Sequence, residues 1–130
     1  ALIYPCNDPE MNYESAKTNG SGYNLSTKAM KTFWDMYLSK KSDRKNPYAS
    51  PIASKDLKGV APAIVITAEY DPLLDDGYNY ADLLKRDGVP TIYYEYPGMI
   101  HGFFSLAGVT PVAIQAQQRL ADEINAILLP

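Results

Sequence analysis

The sequence predicts an α/β protein in which helices pack on a mostly parallel sheet. Three observations carry this. Ala63-Ile64-Val65-Ile66-Thr67-Ala68 is a continuous apolar, β-branched run, the pattern of a strand covered on both faces, as in a parallel sheet. A second run, Thr91-Ile92-Tyr93-Tyr94-Glu95-Tyr96, follows a helical segment. Strand, helix and strand within about 35 residues make a βαβ unit, whose crossover is right-handed. An amphipathic helix then begins at Thr110-Pro111, so strands alternate with helices as an α/β class requires.

Taken in order, residues 1–5, Ala-Leu-Ile-Tyr-Pro, read as a short buried strand. Residues 6–24 are loop, broken by Pro9, Gly20 and Gly22. A helix is expected from Thr27 to Ser39, with Met30, Phe33, Trp34, Tyr37 and Leu38 on one apolar face. Ser26 is its N-cap, and Leu25 with Met30 can form a hydrophobic staple. Residues 40–50 are charged, then Pro-containing, and read as loop, and Lys55–Pro62 connects to the strand at 63–68. The next helix spans Gly77 to Arg86, with Tyr80, Ala81, Leu83 and Leu84 for packing, and stops at Gly88-Val89-Pro90. The last helix takes Thr110 as N-cap and Pro111 in its first turn. Val112, Ala116, Leu120, Ile124 and Ile127 line its expected buried face.

Composition excludes several classes. The chain has 130 residues, 14.4 kDa, which is one domain's worth of chain or less. Hydrophobic residues are 46% and charged residues 21%, so the chain is neither disordered nor collagen-like. No stretch approaches the roughly 18 apolar residues of a membrane span. Net charge is −3 with no basic cluster, which argues against nucleic acid and membrane surfaces as partners. One cysteine, Cys6, makes no intrachain disulfide. No initiator Met or signal pattern precedes Ala1, and the chain opens directly in an apolar run. That run needs a neighbouring strand for its backbone groups, so residues 1–130 read as a fragment of a larger protein. The single Cys and the lack of a signal suggest a cytoplasmic site.

Ligands in open α/β sheets bind beyond the carboxyl ends of the strands. Two loops leave such ends. One runs from Glu69 through Asp71, Asp75 and Asp76 to Gly77; the other runs from Pro97 to Phe103 and holds the sole histidine, His101. Neighbouring strands lie about 4.8 Å apart, so an Asp of the first loop can reach His101. A carboxylate so placed orients an imidazole for acyl transfer. The plainer readings stay open: a structural His, turn chemistry for Asp71 before Pro72, an N-cap for Asp76, and Asp75 favouring the helix's positive end. A metal reading of Asp71, Asp75, Asp76 and His101 matches no standard ligand spacing.

Val65-Ile-Thr-Ala-Glu-Tyr-Asp71-Pro-Leu-Leu-Asp-Asp-Gly77 resembles the catalytic-acid segment of the hormone-sensitive-lipase-like esterases, a family of the α/β-hydrolase superfamily. Tyr96-Pro-Gly-Met-Ile-His101-Gly-Phe-Phe104 resembles that family's catalytic-histidine segment. Leu2-Ile-Tyr-Pro5 is similar to the strand after its nucleophile segment. Tyr23-Asn-Leu and Phe33-Trp34 with Tyr37-Leu38 resemble the next helical region, and Ala49-Ser-Pro51 the lead-in to the acid-bearing strand. The resemblance implies the C-terminal part of an α/β-hydrolase fold, with helices on both faces of the sheet and residues about 6–45 near the cap and substrate side. It implies Asp71 as triad acid and His101 as general base, acting on a small-molecule ester with no metal or organic cofactor.

The family's G-x-S-x-G and His-Gly-Gly-Gly-type motifs do not occur in this sequence. Ser21 lies between Gly20 and Gly22, but in a loop with no strand before it. The family order is Ser, then Asp, then His, so the nucleophile is expected upstream, in the N-terminal part of the same domain. Met99, Ile100 and Phe103 either border the substrate pocket or pack under the histidine loop. Three rivals remain: a non-catalytic ligand-binding protein of the same fold, such as the plant hormone receptors in which the His is replaced; a related serine peptidase or amidase; and a structural piece held by a partner chain.

Overall fold

The computed structural model of the protein describes residues 1–129. Its elements, in order, are β1 (Leu2–Ile3), α1 (Glu14–Thr18), α2 (Thr27–Tyr37), β2 (Ala63–Tyr70), α3 (Leu74–Arg86), β3 (Thr91–Ile100) and α4 (Pro111–Leu128). Short 3-10 turns sit at Lys41–Lys45, Pro51–Ala53 and Phe103–Ser105.

The three strands form one sheet in the order β1-β2-β3, and both pairings are parallel. β2 is the central strand. Leu2 pairs with Val65 on one side, and Val65 with Tyr93 on the other. Successive side chains of a strand point to opposite faces. Ile64, Ile66 and Ala68 face one side and pack with Phe103 and Ala116, with Val112, Leu120 and Ile124 around them. Thr67 faces the other side, against Gly77 of α3. The sheet is therefore covered by α4 on one face and α3 on the other, which is why β2 tolerates an unbroken apolar run. Residues ahead of the sheet form a separate cluster of Met11, Ala16, Met30 and Trp34 on Leu73.

Several boundaries and faces differ from expectation. The first strand has two residues instead of five, because Tyr4 turns away at φ +37°. A helical turn, α1, lies inside the expected loop 6–24. It is too short to show a period, and it is held by the Ser15–Asp75 contacts described below. α2 ends at Tyr37, and only Met30 and Trp34 of its expected apolar face are buried. Phe33 and Tyr37 are 54% and 66% exposed, because one i, i+4 pair suffices to reach the cluster on Leu73. The Ser26 cap is present, with Ser26 Oγ accepting from Ala29 N at 3.1 Å.

α3 starts three residues earlier than the periodicity indicates. β3 continues past Pro97-Gly98 to Ile100 through a register shift opposite Ala68 and Tyr70. Gly98 makes this possible: it adopts φ +74° and donates its N–H to Glu69 Oε2 at 2.6 Å. On α4, Thr110 caps as expected, accepting from Val112 N at 3.3 Å. Ile127 is exposed, whereas Ala113 is fully buried, and the face of α4 that packs on the sheet runs from Val112 to Ile124.

Candidate active site

The site is built where β2 and β3 end side by side. Asp71 directly follows β2, and His101 directly follows β3. His101 Nδ1 lies 2.7 Å from Asp71 Oδ2. An ionised carboxylate only accepts, so Nδ1 donates and Nε2 is left as the acceptor nitrogen. Asp71 is fully buried, while the His101 side chain is 23% exposed. The pair thus has a dry carboxylate behind a ring that reaches solvent.

Asp71 is held from several sides. Its Oδ1 accepts from Leu73 N at 2.9 Å, and its carbonyl accepts from Leu74 N at 3.1 Å. That turn leads directly into α3, which begins at Leu74. Asp75 and Asp76 do not touch His101. Asp75 Oδ2 accepts from Ser15 N at 2.8 Å, and Ser15 Oγ accepts from Asp75 N at 3.1 Å. Asp76 is not the N-cap its position suggested: it lies inside the first turn of α3. It is fully buried, and its Oδ2 accepts from Asn7 N at 2.8 Å and Asp8 N at 3.1 Å. Burial pushes its carboxyl up to about 6. Among the described residues, no three His, Cys, Asp or Glu side chains converge as a metal site would require.

The loop before α2 clasps both strand ends, which the sequence did not reveal. Asn19 Nδ2 donates to Glu69 O at 2.9 Å and to Asp71 O at 3.4 Å. Asn24 Nδ2 donates to His101 O at 3.1 Å. Tyr23 stacks on Tyr70 with ring centroids 5.1 Å apart. Gly102 follows His101 at φ +88°, and a Cβ there would lie 3.1 Å from Asn24 Nδ2. From the β1 side, the Tyr4 ring lies 4.3 Å from the His101 ring, centroid to centroid. Burial raises the Tyr4 pKa, partly opposed by Ser105. The signal for Tyr4 was available in Leu2-Ile3-Tyr4-Pro5, since a strand beside β2 ends beside Asp71. For the asparagines no periodic or motif signal exists.

Phe103 packs under the histidine loop. It is 1% exposed and sits in the cluster with Ile64 and Ile66. Met99 is partly buried on the same cluster, and Ile100 pairs with Tyr70 at the strand end. Ser21 is exposed in its loop. An apolar groove of about 380 Å³ lies instead along α2, lined by Cys6, Met30, Phe33, Trp34, Tyr37 and Tyr48 among others. Burial pushes the Cys6 thiol up to about 12, so it stays protonated and unreactive at neutral pH.

Comparison with known proteins agrees with this architecture. A family model described as the alpha/beta hydrolase fold matches residues 1–105. Esterase LipI of Mycobacterium tuberculosis is 34% identical over 129 residues, covering 98% of this chain and 40% of its own. Hormone-sensitive lipase of Ictidomys tridecemlineatus is 34% identical over 88 residues, covering 66% of this chain and 12% of its own. The crystal structure of EstE1, a thermophilic carboxylesterase cloned from a metagenomic library, superposes with a TM-score of 0.94 at 33% identity. It covers 99% of this chain and 45% of that one. The chain thus spans less than half the length of each. Sheet order, parallel pairing and the match over residues 1–105 agree, and the chain belongs to the hormone-sensitive-lipase-like family of the α/β-hydrolase fold.

Proposed function

We propose that the whole protein hydrolyses a carboxylic ester, with Asp71 and His101 as the acid and base of a serine-dependent mechanism. One observation carries the reading: a buried Asp71 carboxylate 2.7 Å from His101 Nδ1 at adjacent strand ends, in a chain related to proteins named esterases. A serine outside residues 1–130 attacks the ester carbonyl. His101 Nε2 takes the serine's proton and then gives it to the leaving alcohol. Asp71 fixes the tautomer and stabilises the imidazolium while it exists. Backbone N–H groups, also outside this chain, hold the oxyanion. Water then attacks the acyl-enzyme with His101 again as base. No step calls on a metal or organic cofactor, and residues 6–45 lie on the substrate side.

The test is His101→Ala in the whole protein, assayed on p-nitrophenyl acetate. Loss of at least about 10³-fold in kcat, with folding intact, is expected when the base of such a triad is removed. A wild-type-like rate in a folded variant would sink the assignment. Assaying the matching anilide alongside separates an esterase from an amidase, because an amidase turns over both.

A further inference from the structure

Asp71 fixes only one edge of the His101 ring. An imidazole tethered at Nδ1 can still swing about that hydrogen bond, and each turnover requires Nε2 to face the nucleophile twice. Some other group must hold the face of the ring. Tyr4 is placed to do so. Its ring centroid is 4.3 Å from that of His101, at an interplanar angle of 53°. Behind it, the Tyr4 ring rests on Phe103 at 6.2 Å, edge to face, and Phe103 is 1% exposed.

The backbone at Tyr4 is the second observation. Tyr4 adopts φ +37°, a left-handed conformation that L-residues other than Asn and Asp seldom take. Tyr4 N–H nevertheless donates to Ile66 O at 2.6 Å, so the chain turns sharply while still bound to β2. Such an outlier persists where the surroundings over-determine it, and it is a reason to look for a role. Here it ends β1 with the phenol ring beside His101, at the same sheet end as Asp71.

We propose that Tyr4 is a positioning residue for His101: its ring locks the imidazole rotamer and favours the imidazolium through the electron-rich face of the phenol. The inference rests on the ester-hydrolysis reading and deepens it. The ring face, not the hydroxyl, carries the effect, because a cation within about 6 Å of an aromatic centroid is attracted by the ring quadrupole. Three side chains then divide the work. Asp71 sets the tautomer, Asn24 holds the His101 carbonyl at 3.1 Å, and Tyr4 holds the ring.

The experiment compares wild type, Tyr4→Phe and Tyr4→Leu of the whole protein by two measurements. The first is the proton NMR signal of the His101 ring, assigned by its disappearance in His101→Gln. Wild type and Tyr4→Phe should show the ring-current displacement of a proton close to an aromatic ring, and Tyr4→Leu should lose it. The second is the pH–rate profile on p-nitrophenyl acetate. Tyr4→Leu should lower kcat by roughly 2- to 30-fold with KM unchanged, and the acid limb should move to lower pH. That sign follows because removing a group that favours the imidazolium lets the base lose its proton earlier. Tyr4→Phe should restore both. Tyr4→Leu with an unchanged profile, or Tyr4→Phe falling as far as Tyr4→Leu, overturns the proposal. If Tyr4→Leu does not fold, a wild-type His101 signal undisplaced from its position in urea overturns it just as well. The NMR arm needs no turnover, so failure of the ester reading is told apart from failure of this one.

Discussion

Asp71 makes its contacts with two oxygens that do different things. Oδ2 faces His101 Nδ1 at 2.7 Å, and Oδ1 accepts from Leu73 N at 2.9 Å. Asp71→Asn separates them. The amide oxygen can still accept from Leu73, so the turn into α3 survives. Its NH₂ then faces Nδ1 and demands the opposite imidazole tautomer. Turnover of the whole protein should fall by about 10⁴-fold with little loss of stability. A near-normal rate would transfer the acid role to another carboxylate. Asp71 and His101 were legible in the sequence as candidates because each lies in a loop that leaves the carboxyl end of a strand. Spacing did not separate Asp71 from Asp75 and Asp76, which lie within six residues of one another; the resemblance pointed to Asp71, and it is Asp71 that faces His101.

At the scale of elements, the sandwich depends on a close approach of α3 to β2. Gly77 makes that approach possible: a Cβ there would lie 2.5 Å from Thr67 Cγ2 and 3.4 Å from Pro5 Cδ. Thr67 cannot yield easily, since it is β-branched and its Oγ1 is hydrogen-bonded to the Tyr93 hydroxyl at 2.7 Å. Gly77→Ala gains about 1 kcal/mol in helix propensity. It loses up to about 3 kcal/mol to overpacking, so a net destabilisation of about 2 kcal/mol is expected. A lower urea midpoint at constant m checks this; an unchanged midpoint would mean that α3 moves freely on the sheet. The strands and helices were legible because their periods differ. The outward turn of Phe33 and Tyr37 on α2 was not, because periodicity marks an apolar face but not how much of it finds a partner.

For the molecule as a whole, Asp76 joins the loop after β1 to α3 and makes stability depend on pH. Its carboxyl is raised from 3.8 to about 6, chiefly by burial, against the pull of the Asn7 and Asp8 N–H groups. Between those values the folded state binds more protons than the unfolded state. Stability therefore falls as pH rises from about 4 to 6, by about 3 kcal/mol for this group. Asp76→Asn keeps an acceptor for both N–H groups and removes the titration. Its unfolding free energy should be flatter than that of wild type across that window, as urea titrations at several pH values would show. Parallel slopes would remove Asp76 as the cause. Among the described residues, no helix is long and apolar enough to cross a membrane.

By itself the sequence determined the α/β class, the βαβ unit, the caps at Ser26 and Thr110, and the two loops that hold Asp71 and His101. All of these are local: they follow from hydrophobic period, turn residues and capping chemistry within a few positions. Tertiary structure alone set Asp71 Oδ2 at 2.7 Å from His101 Nδ1 and turned Asp76 toward the loop after β1. It also placed Phe103 under the loop, Asn19 and Asn24 across the two strand ends, and Tyr4 against the imidazole. These facts join residues 30 to 97 positions apart, brought together by parallel pairing on β2. No local pattern encodes such a meeting, because parallel strands owe their adjacency to packing on both faces of the sheet and not to the turn between them.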